Sequence, residues 1–176
     1  MIYLITGASH TGKTYLAQKM LEKQHIPSLS QDHIKMGLIR SGLINVTVYE
    51  DKKLTEILWP VTREIMKTAL ENNQSLIVEG CYVPATWQND FDKVLLQEIQ
   101  SVCLIFSESY IRNYENDILK YGDVIEKRLE KSIDKDELIN DNKIRLNECL
   151  KHQLPFILID QNYNVIEQAF SLFQLN

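Results

Sequence analysis

Five short apolar runs punctuate the chain: Ile2–Ile5, Pro27–Leu29, Ser75–Val78, Ser101–Phe106 and Pro155–Ile159. Four of them are nearly continuous and rich in leucine or β-branched residues, the pattern of strands covered on both faces. Pro27–Leu29 is shorter and reads as an edge strand. Longer amphipathic stretches lie between the runs. Thr14–Lys23 places Leu16, Ala17, Met20 and Leu21 on one helical face, and Asp51–Asn72 repeats Leu54, Ile57, Leu58, Val61, Ile65 and Ala69 with a helical period. Pro60 interrupts that second pattern and predicts a kink or a split. Asp134–Lys151 carries Leu138, Ile139, Leu146, Cys149 and Leu150, and a last helix is expected over Val165–Phe173. The alternation predicts an α/β domain with a mostly parallel sheet.

Composition narrows the function classes. The chain has 176 residues, the length of one domain. Its apolar share of 44% and charged share of 24% are ordinary globular values. The net charge of −5 excludes a global basic field, so no nucleic-acid partner is expected. Cys81, Cys103 and Cys149 form no CxxC pair and no metal spacing, and each lies in or beside an apolar run. They are expected to be reduced core residues of a cytosolic protein. Met1–Ile5 lacks the basic flank of a signal segment, and no apolar run approaches the roughly 20 residues that cross a bilayer. The expectation is a soluble, cytoplasmic protein with no membrane partner, monomeric or homodimeric.

Chemistry enters directly after the first strand, in Gly7-Ala8-Ser9-His10-Thr11-Gly12-Lys13-Thr14. The pattern G-x-x-x-x-G-K-[ST], placed between a hydrophobic strand and an amphipathic helix, is a phosphate-binding loop. A triphosphate carries dense negative charge that must be desolvated and held. Successive backbone N–H groups in a tight loop make a concave anion site, and the helix behind aims its positive end there. Gly7 and Gly12 permit close backbone approach. Lys13 is expected to reach the β- and γ-phosphates, and Thr14 to place its hydroxyl on Mg²⁺. His10 occupies a free position of the pattern; it is read as a loop residue that binds through its backbone, with acid–base work as the alternative.

On this loop and on the order of its elements, the chain resembles the P-loop kinases of small molecules, the group of adenylate, shikimate and gluconate kinases. It is also similar to chloramphenicol phosphotransferase and the zeta-toxin kinases. The likeness is specific at Gly7–Thr14 and rests elsewhere on spacing. It implies a single three-layer domain over 1–176, with a five-stranded parallel sheet in the order 2-3-1-4-5, helices on both faces and a helical lid at about 107–135. ATP and Mg²⁺ are the implied cofactors, and the partners are ATP and a small-molecule acceptor.

The resemblance also implies roles for single residues. In Leu29-Ser30-Gln31-Asp32-His33, Asp32 stands where a carboxylate receives the acceptor's proton. Such a carboxylate assists a poor alcohol nucleophile. Asp32 also directly precedes a helix and reads equally as its N-cap, unless Ser30 takes that place. Glu79-Gly80 closes the third strand at the ligand-binding edge of the sheet, where the family's acid faces the phosphate loop. Glu79 stands where many relatives have Asp, so a metal role and an acceptor role both remain open for it. Arg112 and Arg128, with Lys131, are lid candidates for clamping the transferred phosphoryl group. Residues 107–151 hold nine Lys and Arg against eleven Asp and Glu, so much of that charge is a solvated, paired face. Arg40 and Arg63 fall in the acceptor half, where guanidinium suits a phosphate or carboxylate. Trp59 and Trp87 read as packing. The expected function is transfer of the γ-phosphate of ATP to a hydroxyl. The alternatives are a nucleotide kinase, whose phosphate acceptor needs no base, and a nucleotide-dependent regulatory module without transfer.

Overall fold

The computed structural model describes residues 1–122 and 134–175. The chain opens with β1 (Ile2–Gly7), α1 (Lys13–Gln24), β2 (Ser28–Ser30), α2 (Gln31–Arg40) and α3 (Asp51–Glu71). It continues through β3 (Leu76–Glu79), a 3-10 turn at Trp87–Asp90, α4 (Lys93–Leu96) and β4 (Ile99–Phe106). After β4 come α5 (Glu108–Asn113), α6 (Glu115–Gly122), α7 (Lys135–His152), β5 (Phe156–Ile159) and α8 (Val165–Leu172). The five strands form one parallel sheet in the order β2-β3-β1-β4-β5, as the resemblance implied.

Side-chain alternation along β1 and β4 divides the core in two. Tyr3, Ile5, Val102, Leu104 and Phe106 face one side, against Leu16 and Met20 of α1, Tyr110 and Ile111 of α5, Leu138 and Ile139 of α7, and Ala169 and Phe170 of α8. Ile2, Leu4, Cys103 and Ile105 face the other, against Trp59, Met66 and Ala69 of α3 with Trp87 and Phe91 beyond. The two tryptophans pack edge-on against Phe91, with ring centroids 6.4 and 5.9 Å away. All three cysteines are free thiols; Cys103 and Cys149 are buried and Cys81 is half-buried.

Two helices differ from their sequence patterns. Pro60 neither splits nor ends α3, which runs unbroken from Asp51 to Glu71. Pro60 and Glu56, whose carbonyl loses its N–H partner, both lie on the exposed flank, where water takes the vacancy. The buried face of α3 is also rotated: it consists of Leu54, Leu58, Trp59, Thr62, Met66 and Ala69, while Val61 is exposed. Thr62 is buried because its hydroxyl meets a side chain arriving from α2, described below. In α7 the buried face includes Asn142 and excludes Leu150. Asn142 Oδ1 accepts from the Phe106 N–H at 2.8 Å, and its Nδ2 donates to the Leu138 carbonyl at 2.8 Å. It thereby ties the end of β4 to α7.

Replacing Asn142 by Ala removes this tie and leaves a buried N–H unpaired. The expected loss is about 1–3 kcal/mol of unfolding free energy, read as a lower denaturant midpoint with an unchanged slope.

Candidate active site

The segment between β1 and α1 doubles back tightly. Gly7 has φ 142° and Gly12 has φ 87°, and a Cβ on Gly7 would lie 2.3 Å from the Leu104 carbonyl oxygen. His10 also has positive φ, at 65°. The loop's carbonyls are held by protein donors. Ala8 O accepts from Thr11 Oγ1 at 2.9 Å and from Lys13 Nζ at 2.7 Å. Thr11 O accepts from the Tyr163 hydroxyl at 3.1 Å, and Gly12 O from Leu16 N at 2.9 Å. Gly12 caps α1 with no side-chain hydrogen bond, and the first turn of that helix has no acidic residue. A loop of this shape can turn N–H groups toward an anion, and the first turn of α1 adds no negative charge of its own. Lys13 is 8% exposed and folded onto its own loop, so it is not the water-exposed side chain that a loop position suggests.

β3 pairs with β1 and β2 with β3, so the residues after β3 leave the sheet beside this loop and those after β2 one strand further out. Register pairs Ser30 with Glu79. Ser30 caps α2, its hydroxyl accepting from Asp32 N at 3.3 Å. Asp32 is therefore not the cap; it lies in the first turn of α2, 32% exposed, in an ion pair with Lys35. The Lys35 ammonium also donates to the Tyr82 hydroxyl at 3.1 Å. Glu79 is 2% exposed at the end of β3.

Gln31 gives this corner its shape, and nothing in the sequence pattern marks it. It is fully buried. Its Oε1 accepts from Tyr82 N at 2.9 Å, and its Nε2 donates to Thr62 Oγ1 at 3.1 Å and to Tyr82 O at 3.3 Å. One side chain thus joins α2, α3 and the loop after β3. From the other side, the Arg145 guanidinium of α7 donates to Cys81 O at 2.6 Å and Val83 O at 3.2 Å. Burial pushes the Cys81 thiol up, and Lys13, Asp32, Lys35 and Arg145 all act on it electrostatically. A protonated, buried thiol there is a poor nucleophile.

The remaining sequence candidates are placed as follows. Gly80 lies against Gln31. Arg63 pairs with Glu64 at 2.7 Å and with Asp90 at 3.5 Å, and Asp90 also accepts from Trp59 Nε1 at 2.7 Å. Arg40 is exposed in the last turn of α2. Arg112 is half-exposed and held by Glu108 at 2.8 Å on the outside of α5. Tyr110 and Ile111 of α5 are core residues, so this part of the 107–135 segment is fixed to the body. Arg128 and Lys131 lie outside the described residues. Among the described residues, no group of three or more His, Cys, Asp or Glu is placed to hold a metal ion. No described helix is long and apolar enough to cross a membrane. An apolar groove of about 1100 Å³ runs between α3 and the beginnings of β2 and β3, at the opposite edge of the sheet from the loop.

No family model and no curated protein matches the chain. Solved structures do. A sugar kinase from Janibacter sp. HTCC2649 superposes with a TM-score of 0.59 at 15% identity, over 99% of this chain and 94% of its own. The tunicamycin resistance protein of Deinococcus radiodurans gives 0.59 at 16% identity, over 99% and 96%. Shikimate kinase from Aquifex aeolicus gives 0.57 at 17% identity, over 99% and 96%. At such identities the likeness establishes the fold, which is that of the P-loop small-molecule kinases.

Gly80→Ala tests the Gln31 clasp. A Cβ there would lie 2.2 Å from Gln31 Oε1 and 2.7 Å from its Cβ. The variant is expected to lose about 1–3 kcal/mol of stability. Hydrogen exchange at the Tyr82 amide should accelerate by more than the global loss explains; an unchanged Tyr82 amide would refute the clasp.

Proposed function

We propose that this chain is an ATP-dependent kinase that transfers the γ-phosphate of Mg-ATP to a hydroxyl group of a small molecule. The observation that carries the reading is the tightly folded loop ahead of α1, at the same end of the parallel sheet as Asp32, whose helix is capped by Ser30 instead. A carboxylate beside a phosphoryl-transfer loop, released from capping, has the position of a general base.

Mg-ATP supplies the transferable phosphoryl group. The loop amides of Gly7–Thr14 and the N-terminus of α1 hold its phosphates, and Lys13 leaves the Ala8 carbonyl to meet the β- and γ-oxygens. Thr14, with Glu79 at the adjacent strand end, would hold Mg²⁺. A magnesium site that draws most of its ligands from water and phosphate needs few protein donors, which fits this sparse set. Asp32 accepts the acceptor's hydroxyl proton as the new O–P bond forms and the bond from the γ-phosphorus to the bridging oxygen breaks, releasing ADP. Arg112 and Arg128 remain proposed contacts to the transferred group, and Glu79 and Gly80 proposed acceptor contacts; Arg63 is held by Glu64 and Asp90 and Arg40 is exposed, so neither is assigned a contact. The part of the 107–135 segment beyond the core-packed α5 is proposed to supply the lid. The solved structures that the chain resembles include a sugar kinase, a gluconokinase and shikimate kinases, which supports a hydroxyl acceptor over a phosphate one.

Incubation with labelled ATP and a metabolite panel is the direct test; ATP bound with no transfer to any acceptor would sink the reading. Two variants refine it. Lys13→Ala should lower the stability of the apo protein slightly, because Thr11 still satisfies the Ala8 carbonyl. Wild type should gain about 2.7 kcal/mol at ATP a hundredfold above its Kd, and the variant should lose most of that gain. Full ATP stabilisation of the variant would place the nucleotide elsewhere. Asp32→Asn should keep ATP binding and lose more than about a hundredfold in kcat. Near-normal turnover would point to an acceptor that needs no base.

A further inference from the structure

The charge inventory of the acceptor side constrains what can bind there. Recognition of a carboxylate or phosphate acceptor calls for a guanidinium or ammonium whose donors are available to it. Among the described residues, most cations on this side are committed elsewhere, and the two that are not, Lys52 and Arg40, are exposed. Lys35 is paired with Asp32 and bound to the Tyr82 hydroxyl. Arg145 donates to the Cys81 and Val83 carbonyls and pairs with Glu148 at 3.7 Å. Arg63 is paired with Glu64 and Asp90, and Lys67 with Glu64 at 3.2 Å. Lys53 is paired with Glu50 at 2.5 Å, and Lys52 is exposed on the outside of α3. Arg40 lies about 12 Å from Asp32 along α2, at 1.5 Å per residue.

Carboxylates occupy the same region. Asp32 stands in the first turn of α2 and Asp51 in the first turn of α3, and Ser30, which caps α2, is in register with Glu79. Glu79 is buried close by. An anionic acceptor would enter against these groups with no uncommitted arginine in reach among the described residues, at a desolvation cost.

The wall beside them is apolar. Ile44 and Val46, in the connection from α2 to α3, pack on the buried cluster of Leu54, Leu58 and Tyr82. In the same ten residues Leu43 is 75% exposed and Tyr49 79% exposed, with Val48 also exposed. Three large apolar side chains facing water in one connection form a surface suited to an apolar ligand part.

We infer that the acceptor is a hydroxylated small molecule without an anionic group and with an apolar portion, its hydroxyl at Asp32 and its apolar part on the 41–50 connection. The inference rests on the kinase reading above and adds the substrate class.

The test is ADP release by the wild-type protein with matched probes. Phenyl β-D-glucoside and phenyl β-D-glucuronide share a skeleton and differ in one carboxylate. D-gluconate, shikimate and AMP extend the anionic set, and D-glucose and myo-inositol the neutral, polar one. The expected order of kcat/KM is phenyl glucoside above glucose, and phenyl glucoside above phenyl glucuronide by at least about tenfold, equivalent to 1.4 kcal/mol. A best acceptor that is anionic overturns the inference and leaves the kinase reading standing. ATP binding with no ADP from any probe counts against the kinase reading itself. The double variant Leu43→Ser with Tyr49→Ser changes only exposed positions. It should keep the melting temperature and ATP affinity and raise KM for the phenyl glucoside several-fold, with little change for glucose. An unchanged KM overturns the apolar part of the assignment.

Discussion

The phosphate loop turns its carbonyls inward, and the rest of the site depends on that. A peptide unit has an acceptor at one side and a donor at the other. A loop whose carbonyls are satisfied by protein donors is free to turn N–H groups toward a ligand. Here Ala8 O takes two donors, Thr11 O takes the Tyr163 hydroxyl and Gly12 O starts the α1 ladder. This inversion requires backbone to approach backbone. Gly7 permits it beside Leu104, and Gly12 permits it beside Tyr163, whose hydroxyl lies 1.7 Å from where a Cβ would be. β4 and the turn after β5 therefore act as a mould for the loop. The parallel sheet holds that mould, because β1 lies between β3 and β4.

The acceptor side is built by a different device, one buried amide. β2 is only three residues long and joins the sheet through β3 alone, so strand pairing by itself holds its end loosely. Gln31 adds three hydrogen bonds at the point where β2 becomes α2. A buried primary amide is costly if left unsatisfied, and for the same reason specific when satisfied. Its partners belong to α3 and to the loop after β3, so Asp32 inherits its position from three elements. Thr62 completes the arrangement by returning its own proton to the Leu58 carbonyl at 2.8 Å.

What could be read from the sequence, and what could not, follows from range. The strands and the parallel sheet were legible because continuous apolar runs and an alternating βα pattern are local signals, while the strand order was implied only by the family resemblance that the contiguous loop motif carries. Ser30 as cap was readable as an alternative, because capping is settled within three residues. Gln31 was not, since a glutamine between Ser and Asp reads as an ordinary helix start, and its partners are 31 and 51 residues away. The face of α3 was misread for the same reason. Apolar periodicity chose Val61, whereas burial chose Thr62, which has a distant polar partner. Arg145 lies in a mixed-charge segment and Tyr163 follows the last strand with no motif to mark it; only the fold brings each to a carbonyl it serves.

The loop after β3 links the two halves of the site. Gln31 grips the backbone of Tyr82 from the α2 side, and Arg145 grips the carbonyls on either side of it from α7. Residue 82 is thus held between an amide that positions the neighbour of Asp32 and a guanidinium on the helix entered directly from residues 123–133. Both grips are hydrogen bonds to main chain, which are directional and have little slack. α7 is thus tied to the body by hydrogen bonds at two places, through Asn142 to the end of β4 and through Arg145 to the loop after β3, and the second of these is the loop that Gln31 joins to the start of α2.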